Sequence, residues 1–190
     1  MESNNRETIL QTALDLFATQ GYEATGIQEI VDTAGISKPT LYHYFGHKRG
    51  LLDAIIGFYG KKMYLVIEKG AAYNHDLVMN LTVLAREMIN FALSQQAFFR
   101  LYSALSATGP QSQGYAACLP LRDSVNACLE ELFSLASTDH GNMRGREKAY
   151  ARTFMGVIQA WALLVINKEI ELNEETLHRI VHQFMHGIYS

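Results

Sequence analysis

Apolar residues recur at helical spacing along nearly the whole chain. Ile27, Ile30, Val31 and Ala34 fall at i, i+3, i+4 and i+7, one apolar stripe of a short amphipathic helix. Upstream, Ile9, Ala13, Leu16, Phe17 and Gln20 outline a helix from roughly Asn5 to Gln20, which Gly21 stops. Two short helices cannot bury enough surface alone, so this first helix is expected to cover the elements that follow it. After Gly46 a longer helix starts near His47, runs through LLDAIIGFYGKKMYLVIEKG and ends near Gly70. Further helical stretches are expected at roughly 76–94, 96–107, 112–136 and 144–168, and a last one from about Asn173 to Tyr189. SATGPQSQG (106–114) and STDHGNMRG (137–145) have the composition of loops. Pro120 is expected to kink or break the stretch that contains it. No alternating strand pattern, internal repeat or low-complexity run is present, so the fold class is all-α.

The stretch from Gly26 to Lys48 carries the most chemistry. Thr25 before the second helix and Gln28 three residues on have the pattern of a capping box. Gly35 supplies the freedom of a sharp turn, Ser37 is placed to cap the next helix, and Pro39 sits in its first turn. Helix, short Gly-containing turn and second helix is a helix-turn-helix signature. In the second helix Leu41 and Phe45 point inward, which leaves hydroxyls, rings and positive charge on the exposed side.

Charge sharpens that reading. The chain carries −3 overall, yet residues 36–62 hold Lys38, Lys48, Arg49, Lys61 and Lys62 against Asp53 alone, a local +4 before counting His43 and His47. Residues 1–35 hold one Arg against six acids, and residues 63–190 carry −2. A positive surface on an acidic body suits phosphate contact and discourages indiscriminate binding. Cys118 and Cys128 make neither a zinc spacing nor a disulfide framework. The longest apolar run, Ala160 to Ile166, is far short of a membrane span, and no signal peptide is visible. A cytoplasmic protein with no membrane partner and no cofactor is expected.

The segment GISKPTLYHYFGHKRGLL resembles the recognition-helix segment of TetR-type (TetR/AcrR) transcriptional repressors, and TGIQEIVDTAG resembles that family's preceding helix. The resemblance covers about the first 60 residues. It implies an N-terminal three-helix DNA-binding domain (1–48, recognition segment 26–45) followed by a larger helical effector-binding and dimerisation domain (49–190). It implies a ligand-responsive repressor, a homodimer released from a palindromic operator on double-stranded DNA by a small-molecule effector. Lys38, Thr40 and His43 are expected to face the major groove, with Pro39 and the Thr40 methyl available to thymine. Tyr42, Tyr44 and Lys48 are expected to reach phosphates, as the matching positions do in the family. Thr25 and Gln28 join them from the preceding helix's N-terminus, and Ser37 belongs to the same surface.

The rest of the chain suggests partners rather than a reaction. The helix FMGVIQAWALLVI (154–166) is apolar almost all round, and Leu177, Ile180, Val181, Phe184 and Ile188 form one stripe on the last helix. A dimer interface is therefore expected at Phe154, Ile158, Trp161, Val165, Leu177, Val181, Phe184 and Ile188, with Gly156 and Ala160 as a strip for close approach. Aromatic residues in the middle helices suit an effector pocket, expected at Tyr64, Phe91, Phe99, Tyr102, Tyr115 and Trp161. Arg86, Arg100 and Arg122 would suit an anionic effector. Gly57 and Gly60 weaken the long fourth helix and read either as close packing or as a compliant joint between reader and pocket. His178, His182 and His186, spaced by four, raise the alternative of a helical metal-dependent enzyme, although HExxH and GxSxG are absent. A DNA-binding protein without an effector is the other alternative.

Overall fold

The computed structural model describes residues 2–187, with side chains described from residue 5 onward except at residue 142. Its helices are α1 (Glu2–Gln20), α2 (Ile27–Ala34), α3 (Lys38–Phe45), α4 (Lys48–Gly70), α5 (Leu77–Ser94), α6 (Gln96–Ser106), α7 (Gln113–Asp139), α8 (Glu147–Ile166) and α9 (Glu174–His186). Among the described residues there is no strand. The expected helices all form, within a few residues of their expected ends. Ile188 and Tyr189, expected in the last helix, lie outside the described residues. The expected 137–145 loop contains a short 3-10 turn, Gly141–Met143. Pro120 does not break α7, which runs unbroken through it. A proline removes one i→i−4 bond, and a helix of this length keeps enough others to continue.

The chain packs as two compact units, one of residues up to Lys61 with Gln96–Leu121, the other of Lys62–Gln95 with Arg122 onward. The unit that carries the helix-turn-helix thus extends beyond residue 48, because the first part of α4, all of α6 and the start of α7 pack with it. α1 explains why. Besides Ile9, Ala13 and Phe17 it buries Leu10 and Leu14, a face too wide for one partner, and it packs against both α2 and α6. Tyr59 on α4 donates its hydroxyl to Gln11 Oε1 on α1 at 2.8 Å and stacks on Phe98 of α6 at 5.4 Å between centroids. Gly60 on α4 lies against Leu121, where a Cβ would come within 2.6 Å of Leu121 Cδ2, whereas Gly57 faces open space.

In the other unit α5 packs against α8 and α9, and these two pack on each other. Asn80, buried on α5, donates to the carbonyls of Gly70 and Ala72, both at 2.9 Å, and so closes the end of α4. Arg86 on α5 holds Glu174 at the start of α9 in a two-pronged ion pair of 2.6 and 2.8 Å. By length and composition alone α5 and α8 are long and apolar enough to cross a membrane. Here their apolar faces form core: Leu81, Ala85, Met88 and Ile89 from α5 and Phe154, Ile158 and Ala162 from α8 are buried.

The corner between α3 and α4 is the tightest local feature. Gly46 has φ 71° and ψ −53°, a three-residue turn closed by the His47 N–H donating to the Phe45 carbonyl at 2.8 Å. One turn later a Cβ on Gly50 would collide with that same Phe45 carbonyl. Gly50→Ala is therefore expected to cost about 1–3 kcal/mol through overpacking. Gly57→Ala, exposed on the same helix with nothing in reach, is expected to stabilise by about 0.5–1 kcal/mol. Urea unfolding of the two variants checks this, and equal shifts for both would contradict the collision.

Candidate nucleic-acid interface

α2 and α3 are oriented by their caps. α2 ends at Gly35, in the left-handed region at φ 66°, which returns its N–H to the α2 carbonyls and turns the chain sharply. α3 then starts on Ser37, whose Oγ accepts from the Thr40 N–H at 3.3 Å and pairs with Thr40 Oγ1 at 2.8 Å, with Pro39 in the first turn. Leu41 and Phe45 are buried. The opposite side of α3 presents Lys38, Pro39, Tyr42 and His43 to solvent, and Tyr42 is 45% exposed. These are donors, a cation and apolar surface on one short helix face, the equipment that base edges and phosphates require. Thr40 and Tyr44 are half-buried at its borders, Tyr44 edge-on to His43 at 5.4 Å.

Three expectations are corrected at the edges of this surface. Thr25 is not the cap of α2: that position is Gly26, with no side-chain cap bond. Nor does Thr25 face outward. It is buried, and its hydroxyl donates to the Gly21 carbonyl at 2.9 Å, tying the α1–α2 turn instead of meeting DNA. Gln28 is exposed, but its amide donates to Asp32 at 2.7 Å along the same helix, so the reciprocal capping box does not form.

Lys48 has an unforeseen second task. Its Nζ donates to the Glu23 carbonyl at 3.2 Å and lies 4.4 Å from the centre of the Tyr22 ring. Burial, the main influence, pulls its pKa below the usual lysine value, and Glu23 opposes that shift. Tyr22 in turn is buried edge-on against Phe17 at 5.1 Å and donates its hydroxyl to Gln113 Oε1 at 3.0 Å, at the start of α7. His47 is also engaged: its Nδ1 accepts the Gly50 N–H at 2.9 Å and caps α4. Sequence reasoning missed Tyr22, Gln113 and the capping role of His47. An aromatic residue directly after the helix-stopping Gly21 was the one signal available.

The other expected sites are dispersed. Phe91 and Phe99 are buried core. Tyr102 stacks on Phe98 at 6.0 Å in the helix-turn-helix unit, to which Tyr115 also belongs. Tyr64 lines a recess with Glu68, Cys128 and Glu131, and Trp161 lines a shallow one with His178 and Arg179. The six do not share one pocket: Phe91 and Phe99 are buried, Tyr64 and Trp161 line separate recesses, and Tyr102 and Tyr115 belong to the other unit from Tyr64 and Trp161. A cleft of about 460 Å³ opens elsewhere, between the first turn of α5, the end of α7, the start of α8 and the end of α9. Of the expected interface residues, Phe154, Ile158, Val165, Leu177 and Val181 are buried within the subunit and so cannot face a partner. Trp161 and Phe184 are half-exposed, and Ile188 lies outside the described residues. Gly156 and Ala160 are exposed. His178, His182 and His186 form a ladder with centroids 5.4 and 4.7 Å apart. Among the described residues no group of three or more His, Cys, Asp or Glu is placed to hold a metal ion.

An ammonium has three donors, and the Glu23 carbonyl takes one of them in Lys48. Lys48→Ala is accordingly expected to have two separable effects. Unfolding in urea is expected to read a loss of about 1 kcal/mol from the Tyr22 and Glu23 contacts. DNA affinity measured against salt is expected to lose about one unit of slope if the remaining donors reach a phosphate. Full stability in the variant would contradict the clamp, and an unchanged slope would contradict the phosphate contact.

With this geometry in place, known proteins supply the context. Residues 9–55, from α1 into α4, match the family model described as bacterial regulatory proteins, tetR family. FasR, a transcriptional activator of Mycolicibacterium smegmatis, is 24% identical over 183 residues, which are 96% of this chain and 81% of FasR. A solved structure from Clostridium perfringens, proposed in its name to be a fatty acid metabolism regulator, shares the fold with a TM-score of 0.80 at 18% identity, over 96% of this chain and 99% of that one. AibR, solved with isovaleryl coenzyme A and operator DNA, aligns with a TM-score of 0.70 at 23% identity, over 94% of this chain and 96% of its own. Residues 9–55 thus carry the DNA-binding domain of the tetR family of bacterial regulatory proteins, and the chain as a whole shares the helical fold of these solved structures.

Proposed function

We propose that this regulator is a repressor that binds a palindromic operator as a homodimer and is released by a small-molecule effector. The observation that carries the reading is the open face of α3, with Lys38, Pro39, Tyr42 and His43 exposed on a capped helix-turn-helix within a segment of strong positive balance. In this reading Lys38, Thr40 and His43 read base edges with Pro39 and the Thr40 methyl beside them. Tyr42, Tyr44 and Lys48 hold phosphates, and Ser37 and the first turn of α2 with Gln28 border the same groove. Two copies would present α3 helices about 34–36 Å apart, one turn of B-DNA. AibR, named with both an acyl-coenzyme A and operator DNA, supports a regulator that answers to a ligand.

The dimer would use the outward sides of α8 and α9. Gly156 and Ala160 leave a shallow strip on α8, and His178 and His182 stand exposed or half-exposed on α9. The switch would act at the places where the chain passes from one unit to the other. Gly60 and Pro120 lie within two residues of two of these passages, and the α5–α6 junction is the third. An effector shifts such an equilibrium only by its differential affinity for the two states.

Selection of bound sequences from a random DNA pool tests the function. The expected product is an inverted repeat with half-sites one helical turn apart. Failure to enrich any sequence would contradict the DNA-binding reading, and an enriched site without repeat would contradict the dimer. For the interface, Ala160→Glu is expected to give monomers by sedimentation with helical content unchanged. An unchanged dimer would place the interface away from α8. Repression is checked with a reporter behind the selected site, where deletion of the regulator should raise expression.

A further inference from the structure

The cleft between α5, α7, α8 and α9 has no part in DNA contact, and its chemistry is specific. Its inner wall is aromatic: Phe133, Tyr150 and Phe184 pack with centroids 5.7, 6.0 and 6.4 Å apart, and Met143 and Met185 flank them. At about 460 Å³ it falls in the range of small-molecule sites. At its rim stands His75, a non-glycine residue at φ 64°. Such a backbone costs about 1 kcal/mol or more for a side chain and persists where the surroundings hold it. Here Asp139 holds it: His75 Nδ1 and the Tyr73 hydroxyl both meet Asp139 Oδ2 at 2.8 Å. Hydrogen bonds from His75 first and Tyr73 next keep the Asp139 pKa below the usual carboxylate range, and burial with the Asp139 bond pushes Tyr73 up to about 12. An ionised carboxylate only accepts, so Tyr73 donates its hydroxyl and His75 carries a proton on Nδ1. In the uncharged ring Nε2 is then an acceptor, on a side chain that stands 78% exposed at the mouth of the cleft.

We infer that this cleft is a binding site for a neutral aromatic molecule bearing one hydroxyl, which His75 Nε2 accepts while the ring lies on the Phe133–Tyr150–Phe184 wall. The inference rests on the ligand-responsive reading above and names the site and ligand class for it. Among the described residues no lysine or arginine lines the cleft; its ionisable lining besides Tyr150 is His75, His140 and Asp76, which caps α5 by accepting the Met79 N–H at 2.9 Å. A carboxylate ligand would meet no lysine or arginine there and would face Asp76. An ether offers the His75 acceptor no donor, whereas a hydroxyl does.

The test uses the full chain without DNA at pH 8, with 4-phenylphenol, its methyl ether and biphenyl-4-carboxylate as probes. Affinity is read by calorimetry, and location by carbon-13 labelled methionine methyls. Met143 and Met185 report the cleft, and the other methionines serve as controls. The phenol is expected to bind at least tenfold more tightly than the ether or the carboxylate and to move the Met143 and Met185 signals. His75→Gly, which relieves the left-handed backbone and so keeps the fold, is expected to lower phenol affinity about tenfold, to the level of the ether. Equal affinity for phenol and ether, shifts confined to other methionines, or no binding overturns the inference. Concentration-dependent shifts of Met143 and Met185 without any probe also overturn it, because a second copy then fills the cleft. Binding of the selected operator by the same sample is measured in parallel. Intact DNA binding with no phenol binding defeats the site alone, whereas absent DNA binding defeats the regulatory reading itself.

Discussion

The close approach of α4 to the end of α3 constrains everything that the exposed face of α3 can do. A reading helix of two turns has little stability of its own and no freedom to tilt if it is to place side chains on base edges. Its direction is set at the Gly46 turn and held one turn later, where the missing Cβ of Gly50 lets α4 lie on the Phe45 carbonyl. Leu41 and Phe45 then have only one way to enter the core, and Lys38, Pro39, Tyr42 and His43 only one way to face out. The positive charge of the segment matters because this corner aims it.

The same unit is fastened by a set of polar contacts that all involve α1 or the turn after it. Lys48 lies over Tyr22, Tyr22 reaches Gln113, and Tyr59 reaches Gln11. Each joins elements far apart in sequence with one directional bond on an aromatic body, so small displacements of α4 or α7 are felt at the turn that precedes α2. Such contacts give a DNA reader a definite geometry without enlarging its core.

Much of the fold was legible because helical periodicity and end signals agree: Gly21, Gly35 and Gly46 end their helices, and Ser37 with Pro39 starts α3. The exposed face of α3 was legible for the same reason, since one period assigns Leu41 and Phe45 inward. What escaped was tertiary. Periodicity finds an apolar stripe but not its partner, so Phe154, Ile158, Leu177 and Val181 suggested an interface when they are the core of their own unit. The stripe read on α1 omitted Leu10 and Leu14, and with them the packing of α6 on the same helix. Thr25 matched a capping pattern, but the helix began one residue later and the hydroxyl turned inward. Single-residue offsets at helix starts lie below what spacing resolves. Aromatic residues along the middle helices pointed to a pocket, yet the cleft is built from α5, α7, α8 and α9 ends that converge only in three dimensions.

If α3 reads DNA, its outward face must respond to the duplex. Backbone amide shifts of the full chain, recorded with and without its selected duplex, address it most directly. The largest changes are expected at Lys38 to His43, with lesser ones at the first turn of α2 and the start of α4, and loss of the pattern in high salt. Changes confined to residues beyond Lys61, with α3 unmoved, would contradict it.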